Sequence, residues 1–174
     1  MTSQEGGRIL VVGASGQVGT QVLRNVPRAS AVPTSRRPEE PGWTTLDLAT
    51  ISEAEADELV RGHKIATVYC SGGMTHVDAC ESAFDLARRI NCDGPAILAA
   101  AAAQYGARFV YFSTDYVFNG ELGPYAEDSP ADPICAYGRS KWLGELAVQD
   151  AHPAALVIRT TGVYGPDAKE RNFL

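Results

Sequence analysis

A tyrosine and a lysine stand four positions apart in the segment Tyr137-Gly138-Arg139-Ser140-Lys141. Residues at this spacing lie on one face of a helix, so their side chains can act together. A free phenol has a pKa of about 10 and exchanges its proton poorly near neutral pH. A neighbouring ammonium group favours the phenolate and lowers that pKa. We therefore predict that Tyr137 and Lys141 are catalytic, with Tyr137 transferring a proton.

Two hydroxyls precede this pair, at Ser113 and Thr114, and they close a predicted strand. The carboxyl ends of parallel strands are where α/β proteins bind their ligands. One of the two hydroxyls could hydrogen-bond a substrate oxygen and hold it against Tyr137. Taken alone, a Tyr-x-x-x-Lys segment also occurs by chance as an ordinary surface pair, so its interpretation depends on the elements around it.

Three glycines, Gly13, Gly16 and Gly19, follow the short apolar run Arg8–Val12 at intervals of three. Glycines so placed between a strand and a helix suit a tight turn and close approach of the backbone to a pyrophosphate. Amides at the helix N-terminus favour the negative charge of that group. We predict a dinucleotide-binding turn; the alternative is a glycine-rich connection without a ligand. Its predicted contact residues are Gly13, Ser15, Gly16, Gln17, Val18 and Gly19.

The residues beyond the glycine turn bear on the choice of cofactor. Sites that prefer NAD place an acidic residue about 20 positions after the turn, on the ribose 2′-hydroxyl. Here no Asp or Glu occurs between Glu5 and Glu39, and Ser35-Arg36-Arg37 stands near that place. Guanidinium groups and a hydroxyl can bind a 2′-phosphate. The segment favours NADP(H) over NAD(H), although a solvated arginine pair is the alternative.

Strand and helix patterns alternate along the chain, which predicts an α/β fold with one domain over residues 1–174: a Rossmann-type, doubly wound parallel sheet with helices on both faces. Strands are predicted at Arg8–Val12, Ala29–Thr34, Thr44–Leu46, Ile65–Ser71, Arg108–Ser113 and Ala155–Arg159. Helices are predicted from Gly16 to Pro27, Ser52 to Arg61, Ser82 to Tyr105 with a bend near Gly94-Pro95, and Tyr137 to Gln149. Residues 35–42 and a long segment ending at Ala136 are predicted as loops.

Composition excludes several classes of protein. The chain has 174 residues and a net charge of −6, so no general basic surface is expected to bind nucleic acid. The longest apolar run, Ala96 to Ala103, is far below the ~20 residues of a membrane span. No signal-peptide pattern begins the chain, which favours a cytoplasmic protein. The four cysteines lack metal-ligand spacing, so we expect packing thiols and no metal site.

The sequence resembles the extended short-chain dehydrogenase/reductase superfamily and, within it, the dTDP-4-dehydrorhamnose reductase group. The resemblance is carried by Gly13 to Gly19, Leu46-Asp47-Leu48, Thr75-His76-Val77-Asp78, Asn91, Ser113 to Phe118, Tyr137 to Lys141 and Arg159 to Pro166. It implies an NADPH-dependent reductase that transfers hydride to the C4 ketone of a 4-keto-6-deoxy nucleotide sugar. It also implies a catalytic triad of Thr114, Tyr137 and Lys141.

The resemblance assigns further contacts. Gly16, Gln17 and Val18 would contact the pyrophosphate, and Asp47 and Leu48 the adenine. Thr114 and Asp115 would touch the sugar, while Tyr137 and Lys141 would also touch the cofactor. The nicotinamide side is assigned to the stretch after the fourth strand, namely Ser71, Gly72, Gly73 and Thr75.

The sequence departs from the group's pattern in three places. The segment Gly72-Gly73-Met74 stands where the group more usually has two alanines and one further residue. Asn119 stands where the group often has an Asp. The chain ends at Leu174, whereas members of the group continue into a small substrate-binding domain. We therefore expect an N-terminal part of a longer reductase.

Two alternatives keep the same fold. One is an epimerase or dehydratase of nucleotide sugars. The other is a non-catalytic, NADP-binding regulator that resembles the β subunit of methionine adenosyltransferase, which retains similar motifs. The sequence leaves open whether the protein forms a homodimer.

Overall fold

Six parallel strands form one sheet in a computed structural model that describes residues 7–165 of the chain. The spatial order is β3-β2-β1-β4-β5-β6, so the strand order reverses between β1 and β4. The strands are β1 (Arg8–Val12), β2 (Ala31–Ser35), β3 (Thr44–Thr45), β4 (Ile65–Cys70), β5 (Arg108–Thr114) and β6 (Leu156–Thr160). This arrangement confirms the predicted Rossmann-type sheet.

Helices connect the strands and cover the sheet. They are α1 (Gln17–Asn25), α2 (Glu53–Gly62), α3 (Val77–Ser82), α4 (Phe84–Arg88), α5 (Gly94–Gln104) and α6 (Ala136–Ala151). Because crossovers between parallel strands are right-handed, α1 lies on one face, while α2, α5 and α6 pack side by side on the other. The larger buried cluster under that second layer includes Leu10, Val68, Leu98, Phe109 and Val148.

Local signals in the sequence explain several element ends. Gly16 precedes α1 in an extended conformation, and Ser52 with Glu55 forms the predicted capping box at the start of α2. A single turn at Arg28–Ser30 replaces the first residues of the predicted second strand, which starts at Ala31. Ser35, predicted as loop, is the last residue of that strand because it pairs with Thr45.

The long helix predicted from Ser82 to Tyr105 is wrong in detail, since the chain is already helical from Val77. The Nδ1 atom of His76 accepts from the amide of Ala79 and caps α3, and the backbone of Ala83 then leaves helical geometry. A π-helical turn at Arg89–Asp93 leads into α5. Pro95 has no amide to donate to the carbonyl of Asn91, four residues earlier, so that carbonyl is left to another donor.

Candidate functional site

The glycine turn links β1 to α1 through backbone contacts that exclude larger residues. Gly13 has φ +77°, and a Cβ added there would lie 2.6 Å from the backbone of Gly72. A Cβ added at Gly19 would overlap the carbonyl oxygen of Gly13, because α1 packs tightly on the turn. The amide of Gly16 donates to that same carbonyl at 2.9 Å. The turn thus brings the first amides of α1 close to the sheet edge.

The segment after β4 lies beside this turn at the reversal of strand order. Val12 is in register with Cys70, and both the amide and the hydroxyl of Ser71 donate to the carbonyl of Val12, at 3.0 and 2.8 Å. Two regions predicted to contact one cofactor, residues 13–19 and 71–75, therefore meet at the same edge of the sheet.

Buried Asn91 fixes the far end of the segment after β4. Its Oδ1 atom accepts from the amide of Met74 at 2.8 Å, and its Nδ2 atom donates to the carbonyl of Met74 at 2.9 Å. The same Nδ2 atom donates to the hydroxyl of Ser140 on α6. The hydroxyl of Tyr111 donates to the Asn91 carbonyl that Pro95 leaves free. Sequence reasoning identified Asn91 as part of the resemblance without giving it this role.

Ser35 is the last residue of β2, beside the glycine turn, and Arg36 and Arg37 follow it. Ser35 is 6% exposed, and its Oγ is the one buried side-chain nitrogen or oxygen without a hydrogen-bond partner among residues 7–165. Arg36 and Arg37 are exposed to solvent. A buried hydroxyl without a partner is costly in a folded protein. Together with the glycine turn, this unpaired hydroxyl fits a site for the ribose and phosphate of a dinucleotide.

Asp47 and Leu48, predicted near the adenine, form a turn after β3. The Asp47 carboxylate accepts from the amide of Ala49 at 2.9 Å, and its carbonyl accepts from the amides of Thr50 and Ile51. Leu48 is buried and belongs to the core cluster. Leu48 thus forms part of the wall beside residues 71–75, since it also lies next to Gly72.

The start of α6 is anchored by two side chains on neighbouring segments. A Glu81 carboxylate oxygen accepts from the amide of Ala136 at 2.7 Å, and the sulfur of Cys135 accepts from the amide of Gly138 at 3.3 Å. An acidic group also complements the positive end of the helix dipole. These caps fix the first turn of α6 and thereby the backbone of Tyr137.

Tyr137 lies against the end of β5. Its ring packs edge-on to the ring of Tyr116, with centroids 5.6 Å apart. Burial raises the pKa of Tyr137, while a hydrogen bond with Thr114 acts in the opposite direction. The expectation that Lys141 sets a lowered pKa is therefore corrected: in this structure burial dominates and the phenol holds its proton more firmly than usual.

Lys141 is 4% exposed and extends toward the sheet. Its Nζ donates to the carbonyl of Phe112 at 2.6 Å and lies 4.0 Å from the centroid of the Tyr111 ring. Burial lowers the pKa of Lys141 to about 8, and the thiol of Cys70 and the carboxylate of Glu145 act in the opposite direction. The ammonium is still charged near neutral pH, on the same face of α6 as Tyr137.

The two hydroxyls at the end of β5 have different environments. The hydroxyl of Ser113 donates to the buried carboxylate of Glu145. Thr114 is also buried; its hydroxyl donates to Asp115 at 3.2 Å and accepts from the amide of Tyr116 at 3.2 Å. Because the Ser113 hydroxyl is bonded to Glu145, Thr114 is the residue whose hydroxyl is hydrogen-bonded with Tyr137. Asp115, the next residue, is exposed.

The sequence model of the RmlD substrate binding domain family matches residues 7–174. The chain belongs to this family. Its place is thus in the extended short-chain dehydrogenase/reductase superfamily, as the resemblance predicted. A dTDP-4-dehydrorhamnose reductase of Burkholderia thailandensis is 39% identical over 169 residues, which are 96% of this chain and 53% of that protein.

Solved structures of this group superimpose on the chain. A dTDP-4-dehydrorhamnose reductase from Clostridium acetobutylicum is 34% identical with a TM-score of 0.82, over 95% of this chain and 56% of that one. One from Bacillus anthracis in complex with NADP is 30% identical with a TM-score of 0.80, over 92% and 56%. The chain spans about half the length of the relatives it matches.

A cleft of about 660 Å³ adjoins the glycine turn on the α1 side of this family member. It is lined by Ser15, Gln17, Arg24, Pro33, Trp43 and Tyr164, among others. Thr114, Tyr137 and Lys141 lie outside its lining. The predicted catalytic residues therefore do not line this cleft.

The remaining chemistry-bearing residues give no second site in the part of the chain that the structure describes. No three His, Cys, Asp or Glu side chains of residues 7–165 cluster to hold a metal. Burial raises the pKa of Cys70 to about 12 and that of Cys92 to about 11, so these thiols are unreactive near neutral pH. Within the same range, no helix is long and apolar enough to cross a membrane.

Proposed function

We propose that this family member provides the cofactor-binding and catalytic part of an NADP(H)-dependent reductase of a 4-keto-6-deoxy nucleotide sugar. The observation that carries the proposal is the placement of Thr114 and Tyr137 together at the end of β5, with charged Lys141 on the same helix and the glycine turn at the same sheet edge. The names of the relatives and the NADP bound to one of them support it.

The described residues act as one NAD(P)-binding domain in this proposal. Backbone amides at the start of α1 hold the pyrophosphate, with the contact residues predicted between Gly13 and Gly19. Ser35 supplies its unpaired buried hydroxyl to the ribose phosphate, and Arg36 and Arg37 supply charge from the surface. Asp47 and Leu48 border the adenine; Ser71, Gly72, Gly73 and Thr75 border the nicotinamide. The bound cofactor supplies hydride.

Thr114 at the end of β5 and Tyr137 on α6 position the ketone and supply the proton in this proposal. Thr114 hydrogen-bonds the ketone oxygen and aligns it with the phenol of Tyr137. The phenol of Tyr137 is protonated at neutral pH, as ordinary phenols are, and is therefore in the form needed to donate. Because burial raises its pKa, the transfer depends on a charge that stabilises the phenolate left behind. The hydride forms the new C–H bond, the Tyr137 proton forms the O–H bond, and the ketone becomes an alcohol.

Lys141 stabilises the phenolate left after proton transfer. Its ammonium is held by the carbonyl of Phe112 in a buried setting, where a charge acts strongly on its neighbours. Exposed Asp115 lies where a sugar hydroxyl can bind beside Thr114. The partner molecule in this proposal is therefore a nucleotide sugar.

The test is a spectrophotometric assay of NADPH oxidation with a dTDP-4-keto-6-deoxy sugar. Tyr137→Phe should reduce turnover by about 10²-fold or more while NADPH still binds. Tyr105→Phe is the matched control, because Tyr105 is an exposed tyrosine bonded to Asp57 far from this site. Equal turnover by the Tyr137 variant would contradict the mechanism. NADPH binding without turnover in a protein of the relatives' full length would favour the regulatory alternative.

A further inference from the structure

Glu145 is a buried carboxylate that the mechanism above does not use. It lies on α6, four residues after Lys141, and is 2% exposed. Arg159 on β6 donates to it through Nε at 3.0 Å and through Nη2 at 2.7 Å. The hydroxyl of Ser113 on β5 donates to it as well. One carboxylate thus joins three elements, α6, β5 and β6.

Arg159 extends the same network toward the surface. Its Nη1 atom donates to the carbonyl of Glu127 at 3.1 Å. Its guanidinium lies 5.1 Å from the ring centroid of Phe118, which in turn stacks on Tyr125 at 4.4 Å. Residues 118–127 follow the single turn Asp115–Val117, so Arg159 ties the segment beside the candidate site to α6.

The strand register connects this network to Thr114. Ser113 is opposite Arg159, and Thr114 is opposite Thr160. The hydroxyl of Thr160 donates to the carbonyl of Ser113 at 3.3 Å. The hydroxyl and the carbonyl of Ser113 are therefore both held, and a shift of the neighbouring Thr114 would strain these bonds.

We propose that Glu145 and Arg159 are positioning residues, which hold the Thr114 end of β5 and residues 118–127 in place against the helix that carries Tyr137 and Lys141. This inference rests on the proposed reductase function. Buried ion pairs contribute little to stability compared with well-packed apolar residues, so stability alone does not explain this one. The groups that donate hydrogen bonds to Glu145 lie on β5 and β6, and this proposal requires β5 to be aligned with α6 for proton transfer.

The experiment compares Glu145→Gln with Glu58→Gln, which alters an exposed ion pair with Arg61 on α2. Glutamine keeps the shape of the side chain and removes the charge. We expect the Glu145 variant to bind NADPH within about twofold of the unaltered protein and to lose about tenfold or more in kcat, since small displacements at a reacting centre are costly. The Glu58 variant should match the unaltered protein in both measurements.

Limited proteolysis provides a second readout that needs no substrate. Cleavage within residues 118–132 should become faster in the Glu145 variant, because Arg159 then loses its charged partner and releases the segment. A Glu145 variant with unchanged kcat and an unchanged cleavage rate would overturn the proposal, whatever its stability. Failure of the unaltered protein to turn over would count against the proposed function, while the cleavage rate would still decide the role of the pair.

Arg159→Lys covers the case in which Glu145→Gln does not fold. Lysine keeps the charge but loses the two-pronged geometry of the guanidinium. We expect the same selective loss of kcat and the same faster cleavage. Turnover and cleavage equal to those of the unaltered protein would overturn the proposal.

Discussion

The Nζ atom of Lys141 lies 2.6 Å from the carbonyl oxygen of Phe112, in a position that is almost fully buried. The ammonium thus directs one hydrogen bond into the sheet, one residue before the Ser113-Thr114 pair. A buried charge lowers the free energy of unfolding, and the size of this effect depends on pH.

Lys141→Met should change how stability depends on pH. Burial lowers the pKa of Lys141 from 10.5 to about 8, so between these values the unfolded chain binds the extra proton. Stability of the unaltered protein, relative to the variant, should therefore rise on the order of 2 kcal/mol from pH 7 to pH 10. Denaturant unfolding of both proteins across this range measures the difference. A constant or falling difference would refute the burial of a charged lysine.

Ser35→Ala should separate stability from cofactor binding. The Ser35 hydroxyl is buried without a partner, so its removal should leave the free energy of unfolding unchanged or raise it by up to about 1 kcal/mol. NADPH should nevertheless bind several-fold more weakly. Thr34→Val is the matched control, since the Thr34 hydroxyl donates to the carbonyl of Val11 and should cost stability when lost. Tighter or equal NADPH binding by Ser35→Ala would remove Ser35 from the site.

Gly19→Ala should weaken both folding and cofactor binding. Its Cβ would overlap the carbonyl of Gly13, and neither backbone can move without displacing α1 from the turn. We expect a loss of about 1–3 kcal/mol in the free energy of unfolding. Gly162→Ala is the control, because nothing lies within 4 Å of a Cβ at that position. Thermal unfolding with and without NADPH would show both effects, and two equally stable variants would contradict the close packing.

Tyr111→Phe should destabilise the protein, because it removes one hydroxyl while leaving in place the ring that lies against Lys141. The variant leaves the buried carbonyl of Asn91 without the Tyr111 hydroxyl, which should cost about 1–3 kcal/mol. Tyr69→Phe in the neighbouring strand controls for the loss of a tyrosine hydroxyl, since Tyr69 is only partly buried. Unfolding in denaturant would measure the two changes. Equal stability of the two variants would show that the carbonyl finds another donor.

Features that depend on local sequence patterns could be predicted. The glycine turn, the capping box at Ser52 and the alternation of strands and helices each follow from residues close in the chain, and the structure confirms them as elements of the fold. The placement of Ser35 at the end of a strand was missed because it depends on pairing with Thr45, across a loop that shows no strand pattern.

Features that depend on contacts distant in sequence could not be predicted. The role of Asn91 requires Met74, Ser140 and Tyr111, which reach it from three different elements. From the sequence alone, Glu145 is indistinguishable from an exposed charged residue of a helix. Its burial and its contacts with Ser113 and Arg159 are seen only in the structure. The raised pKa of Tyr137 likewise follows from burial, which spacing along a helix does not reveal.

The central claim is most directly tested by calorimetric titration of the 174-residue chain with NADPH and, separately, with NADH. We predict binding of NADPH, weaker binding of NADH, and loss of that preference in Arg36→Ala. Arg108→Ala is a control that should retain it, because Arg108 is exposed at the amino end of β5, the end of the sheet away from the glycine turn. Failure of the chain to bind either dinucleotide, or an unchanged preference in the Arg36 variant, would contradict the account of the site.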